Sequence, residues 1–272
     1  MLPMKLLDWI DINKLNLNRL SENPNAICYI KENPHLINWS LLSLNENAIE
    51  ILKENPNKIN YIYLSYNKNA IELLKKNPNK IDWNILTTNP NAFDLIKENL
   101  DRITWKYLSL NPNAIDYLKE NPNIIHYFYL SANPNAIDIL KNNFDKIIWC
   151  QLSSNHNAID IIEKNLNIID WSNLSSNINA INILKKNKDK INWFLLSANP
   201  NAIELLKENQ NRIDWSMFST NPSIFTYDYE KMRNNNLELK EEIIAKALHP
   251  KRIFKLIEEY GEDEIYNIYF DD

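Results

Sequence analysis

Apolar residues recur along this chain in columns that repeat every 22 positions, not in a single amphipathic run. Ile37 recurs every 22 residues through Ile213; two residues on, an aromatic column runs Trp39, Tyr61, Trp83, Trp105, Tyr127, Trp149, Trp171, Trp193 and Trp215; three further on stands Leu42 and its equivalents through Leu196, with Phe218 ending the series. A polar column keeps the same period. Asn23, Asn45, Asn67, Asn89, Asn111, Asn133, Asn155, Asn177, Asn199 and Asn221 follow one another without insertion or deletion, and nine of them open the phrase Asn-x-Asn-Ala-Ile/Phe. A strict period of this length predicts a stacked array in which each unit buries its apolar face against its neighbours.

Within a unit the spacing predicts two elements. Asn111 is an N-cap, and Pro112 stands at the first helical position, where its missing N–H costs nothing. Ala114, Ile115 and Leu118 share one face, Asp116 and Lys119 face outward, and a helix of about nine residues results. Asn121 and its 22-residue equivalents then close the helix. With Gly261 the only glycine, asparagine is expected to supply the left-handed closing residue. In the second half Ile103, Trp105 and Leu108 mark a short α or 3₁₀ helix, with Asn, Asp or Thr before most of the aromatics as its cap. The aromatic column lies between two core columns and reads as core itself. On that reading Trp105→Ala would cost about 3–5 kcal/mol.

The expected fold is therefore all-α: a right-handed α-solenoid of about ten 22-residue units, each one α-helix plus one short α/3₁₀ helix, with a small helical C-terminal cap. Residues 1–22 read as an N-terminal cap and partial repeat, 23–225 as the solenoid, and 226–272 as a helical cap with an acidic tail. Leu15, Leu17, Leu20 and Ser21 carry the columns back one unit. Two amphipathic helices, Leu237 to Leu248 and Lys251 to Tyr260, are expected on either side of His249-Pro250, with Gly261 after the second. Neighbouring helices about 8–10 Å apart would make a rod or arc about 70–90 Å long. Leucine-rich repeats share the period, but aligning Leu-Ser-x-Asn with their motif puts Asn91 and Asn113 where an apolar residue is required.

The phrases Leu-Ser-x-Asn-Pro-Asn-Ala-Ile and Leu-Leu-Lys-x-Asn-Pro-Asn-Lys-Ile-Asp-Trp, together with Tyr227-Asp228-Tyr229 and Leu248-His249-Pro250-Lys251-Arg252-Ile253, resemble the repeat proteins multiplied in Mimivirus-like giant DNA viruses. The likeness covers nearly the whole chain. It implies a viral, intracellular protein, in host cytoplasm or virus factory, with the virion as the alternative; it carries no activity or site.

Composition narrows the chemistry. Net charge is −5 with both signs interspersed, so a nucleic-acid partner is not favoured. No apolar run reaches membrane-spanning length and Met1-Leu2-Pro3-Met4-Lys5 lacks a signal-peptide core, so the chain reads as not secreted. Cys28 and Cys150 are more than five units apart, beyond disulfide reach in a rigid array, and read as reduced thiols. His35, His126, His156 and His249 have no partner at helical spacing, and one glycine cannot build a phosphate loop; no catalytic residue, metal site or cofactor is expected. The rows Glu50, Glu72, Asp94, Asp116 and Lys53, Lys75, Lys97, Lys119 read as a solvated face.

What varies from unit to unit is the pair after each aromatic: Ile62-Tyr63, Asn84-Ile85, Lys106-Tyr107, Phe128-Tyr129, Cys150-Gln151. Columns free of packing duty are where an array can encode recognition. The expected function is a non-catalytic scaffold or adaptor that binds a protein, host or viral, along a strip centred on Tyr63, Tyr107, Phe128 and Tyr129. A structural virion component and a nucleic-acid-binding solenoid are the alternatives.

Overall fold

A computed structural model describes residues 2–269. The chain is mostly helical, and the only strands among the described residues are β1 (Met4–Leu6) and β2 (Phe225–Tyr227), an antiparallel pair. A β-containing horseshoe is thereby excluded. The chain divides into two compact units, Leu6–Thr226 and a smaller one made of Met1–Lys5 with Tyr227–Asp272.

Leading helices of the larger unit open with a tight turn, a 3₁₀ one in units such as Pro112–Ala114 followed by Ile115–Glu120 and a plain one in others, such as that before Ile49–Glu54. Asn111 caps the first of these as expected, its Oδ1 accepting from the Asn113 N–H at 2.9 Å. The amide nitrogen of Asn111 does something the cap reading did not foresee. It donates backward to two carbonyls of the preceding unit, Thr87 and Asn89, both at 2.9 Å. Asn111 is fully buried, and these three bonds satisfy its side chain where water cannot. The other asparagines of the column bond the same way.

This ladder closes on itself. Asn221 donates to Ser197 and Asn199, and Asn23 in turn donates to Ser219 (3.0 Å) and Asn221 (2.8 Å). Asn25 reaches the Pro222 carbonyl at 2.9 Å, as Asn47 reaches Pro24, and the Asn16 N–H donates to Ser219 Oγ at 2.8 Å, as Asn38 does to Ser21. The expectation of an open rod or arc is overturned: the larger unit is a closed ring. Leu15, Leu20 and Ser21, which extend the columns back one unit, are buried against the end of the array. At the joint a full leading helix is absent. Pro222–Ile224 starts one, then β2 takes over, and the Leu7 N–H donates to the Ile224 carbonyl at 3.0 Å.

The core is three columns at about 0% exposure, represented by Ala114, Leu118 and Leu108, with Ser109 and Asn111 buried among them. The serine column works twice. Ser131 Oγ donates to the Tyr127 carbonyl at 2.7 Å and accepts the Ile148 N–H of the next unit at 3.0 Å. Among the described hydrogen bonds this second rung is missing between Thr87 and Thr104, where Ile103 is more extended (φ −98°, ψ 158°) than its counterpart Ile81 (φ −68°, ψ 129°).

Two expectations fail here. Among the described residues no residue other than glycine has positive φ, so the closing asparagines are not left-handed. Asn121 sits at φ −126°, ψ 62°, and its amide donates to the Tyr117 carbonyl four residues back at 2.9 Å. The backbone N–H of Asn121 also donates to the Tyr117 and Leu118 carbonyls, so asparagine closes the helix with side chain and backbone together and needs no left-handed residue. The aromatics, in turn, are half-buried rather than core. The next unit lays a cation over most of the rings: Lys58 over Trp39 (4.3 Å), Arg102 over Trp83 (4.6 Å), Lys190 over Trp171 (4.5 Å), and across the joint Lys14 over Trp215 (5.1 Å). Each such contact contributes about 0.5–1 kcal/mol. Trp105, with Ile124 where the cation would stand, lies parallel to Tyr117 instead (6.3 Å, 8°).

The smaller unit holds helices Tyr229–Asn235, Leu237–Ala247, Pro250–Tyr260 and Glu262–Tyr269. The break at His249-Pro250 falls where expected, and His249 Nδ1 accepts from the Lys251 N–H. Gly261, at φ 96°, ends the third helix, and its N–H donates to Ile257. The stretch read as an acidic tail is helical through Tyr269; Phe270, Asp271 and Asp272, like Met1, lie outside the described residues.

Closure makes a definite energetic demand. Asn111→Ala strands the buried Thr87 carbonyl, leaves the Asn89 carbonyl with only the Ala92 N–H and removes a cap, a loss of about 2–4 kcal/mol, while Asn121→Ala loses one half-exposed bond, about 1 kcal/mol. In an open array Asn23 would face no preceding unit and its loss would cost little. In the ring Asn23→Ala is expected to match Asn111→Ala in urea unfolding. Half-burial lowers the expected loss for Trp105→Ala to about 2 kcal/mol in the same measurement.

Candidate functional site

The shorter, trailing helices pack directly on their neighbours, as Trp39–Leu44 does on Tyr61–Tyr66 and Tyr127–Ala132 on Trp149–Ser154, whereas successive leading helices stand farther apart. In a closed circle the tighter row has the smaller radius. The trailing helices thus line the inside of the ring and the leading helices form its rim. With ten trailing elements about 8–10 Å apart, each about 5–6 Å in radius with its side chains, the central opening is about 15–20 Å across.

Three columns of each trailing helix face that opening, at the i, i+1 and i+4 positions typified by Phe128, Tyr129 and Ala132. All their members are at least partly exposed. Of these thirty residues only Arg19, Glu22 and Lys106 carry charge, which sets the inner wall apart from the rim. On the rim the expected acid and lysine rows pair as Glu50–Lys53 (2.8 Å), Glu72–Lys75 (3.1 Å), Asp94–Lys97 (2.9 Å) and Asp116–Lys119 (3.1 Å). The hydrogen bond from Lys97, aided by its charge, holds the Asp94 carboxyl below the usual range.

All four aromatics proposed from the sequence lie on the inner wall, and three of them meet. Tyr107 and Tyr129 have ring centroids 5.2 Å apart, and Phe128 stands edge-on to Tyr129 at 5.2 Å. Lys106 lies over the Tyr107 ring at 4.9 Å. Tyr63 is not part of this cluster. It is two trailing helices away and keeps company with Ile62 and Tyr66, both more than half exposed. Phe128 (40%) and Tyr63 (37%) are exposed, while Tyr107 and Tyr129 are half-buried in the wall. Tyr66 and His126 were missed. His126 supports the cluster from the helix start, 5.1 Å from Tyr129. Its signal was visible, since it stands where most units have Asn or Asp. Tyr66 belongs to a third variable column, one turn beyond the pair singled out.

Beyond the trailing helices the wall continues onto the prolines that open the leading helices. A shallow cavity of about 320 Å³ there is lined by Glu22, Pro24, Leu44, Glu46, Tyr66 and Lys68. Burial raises the Glu22 carboxyl pKa, and nearby Arg19 partly offsets that. Among the described residues no three of His, Cys, Asp and Glu converge as metal ligands, and no helix is long and apolar enough to cross a membrane. No family model, curated protein or solved structure matches the chain.

A carboxylate whose pKa rises on folding binds its proton more tightly in the ring than in the unfolded chain. Glu22 therefore adds no penalty at low pH, and a penalty grows as pH climbs through the carboxylate range and the group ionises. Thermal melts of Glu22→Gln and wild type should diverge in the variant's favour between about pH 4 and pH 7. A constant difference across that range would contradict the assignment.

Proposed function

We propose that this chain is a non-catalytic scaffold or adaptor that binds a protein partner, host or viral, on the inner wall of its ring. The observation that carries the reading is the Tyr107–Phe128–Tyr129 cluster. These side chains are spared by the core, differ from unit to unit and meet on the concave side. Aromatics at the centre of a concave, weakly charged surface are the usual anchors of protein recognition. The reading takes the array as about ten 22-residue units with right-handed winding, and the ten-fold recurrence of a buried, cross-bonded asparagine supports that count.

The resemblance to giant-virus repeat proteins supports an intracellular, viral setting for this binding. A role as a structural virion component differs only in where the partner sits, and mass spectrometry of purified particles separates the two. Nucleic-acid binding is less well supported, because the inner wall has few cations and the rim pairs its lysines with acids.

Affinity capture from infected cells tests the proposal. Wild type is expected to retain a defined protein that Tyr107→Ala/Tyr129→Ala loses by at least about tenfold, as two anchors worth about 1–2 kcal/mol each would require. A rim variant, Asp116→Ala/Lys119→Ala, should capture as wild type does. Equal capture by the aromatic variant would overturn the reading.

A further inference from the structure

The inner wall is itself two-sided. From Trp39–Leu44 round to Tyr127–Ala132 it offers large apolar groups, among them Leu44, Ile62, Tyr66 and Phe128. The next two trailing helices, Trp149–Ser154 and Trp171–Ser176, offer only Cys150, Gln151, Ser154, Ser172, Asn173 and Ser176. Asn173 Nδ2 bridges the two helices by donating to the Cys150 carbonyl at 2.9 Å, which holds this small, polar, uncharged arc together. After it the wall turns apolar again at Phe194, which is 51% exposed.

Resting on the protein-binding reading above, we infer that the ring takes one α-helix of its partner through the central opening, and that this helix is amphipathic with an uncharged polar face. An α-helix with its side chains is about 10–12 Å across, so an opening of about 15–20 Å admits one such helix with a few Å to spare, near enough for its longer side chains to meet both arcs. A single extended strand would leave one arc untouched. The helix's apolar stripe meets the aromatic arc, and its Ser, Thr, Asn or Gln face meets the polar arc. Charges on that face would lose water without finding a counter-charge. The same argument disfavours a second copy of this chain as occupant. Its helix Pro250–Tyr260 carries Lys251, Arg252, Lys255, Glu258 and Glu259.

The two cysteines report on this directly, because neither is held in a disulfide, Cys150 on the polar arc and Cys28 on the rim. The probe is an end-capped Leu/Ala–Ser/Gln peptide of amphipathic helical pattern, and the readout is the rate of maleimide modification at each cysteine in the full chain. At about ten times its Kd the peptide should slow Cys150 by about tenfold and leave Cys28 unchanged. Ile62→Glu, an exposed substitution that puts a charge on the apolar arc, should abolish the protection. A peptide of the same composition interrupted by proline should give none. Unchanged Cys150 reactivity, equal slowing of Cys28, or equal protection by the interrupted peptide would each overturn the inference. If the peptide fails while Tyr107/Tyr129-dependent capture persists, only the helical occupant falls and the protein-binding reading stands.

Discussion

A buried side-chain amide that bonds forward and backward at once is what the ring depends on. Each asparagine of the Asn111 column accepts from its own helix start and donates to two carbonyls of the unit before it. A buried amide cannot be left half-satisfied without a loss of about 1–3 kcal/mol per stranded group. The start of one helix and the end of the preceding unit are thereby locked into one geometry. The serine column and the cation-over-aromatic contacts repeat the same offset on either side. The alanine column lets the backbones approach closely enough for all three to form.

This division of labour leaves the exposed face of the trailing helices free. The contacts repeated in every unit come from buried asparagine amides, backbone carbonyls and small or aliphatic core residues, and these do not lie on that face. The wall can therefore carry Phe128 in one unit, Cys150 in the next and Ser172 after that without disturbing the stack. The constancy of the core and the variety of the wall have the same origin.

Much of this architecture was legible in the residues. The helix start at Asn111-Pro112, the outward Asp116–Lys119 pair and the break at His249-Pro250 follow from local rules about caps, helical faces and proline, and local rules suffice for them. Asn121 misled because side-chain and backbone solutions to an open carbonyl use the same residue. Trp105 misled because periodicity reports regular packing, not depth, and a ring covered on one face repeats as faithfully as a buried one. Closure was invisible. It depends on a small rotation per unit that no single column encodes, and its only trace was the return of the columns in Leu15, Leu20 and Ser21. The variable pair flagged Tyr107, Phe128 and Tyr129, but not that they converge while Tyr63 stands apart, since that depends on which face becomes concave.

The joint between Asn221 and Asn23 has a further consequence. Head-to-tail contacts of one kind either close into a circle or run on as a fibre. An open version of this array would expose a donor amide at one end and unclaimed carbonyls at the other, an invitation to polymerise. With ten rungs each contact turns through about 36°, and losing or gaining one unit would ask every contact to bend anew or leave the circle gaping. The number of units is thus under a geometric veto: duplication of a 22-residue segment, harmless in most tandem arrays, would here strain every contact or leave open ends that fit one another.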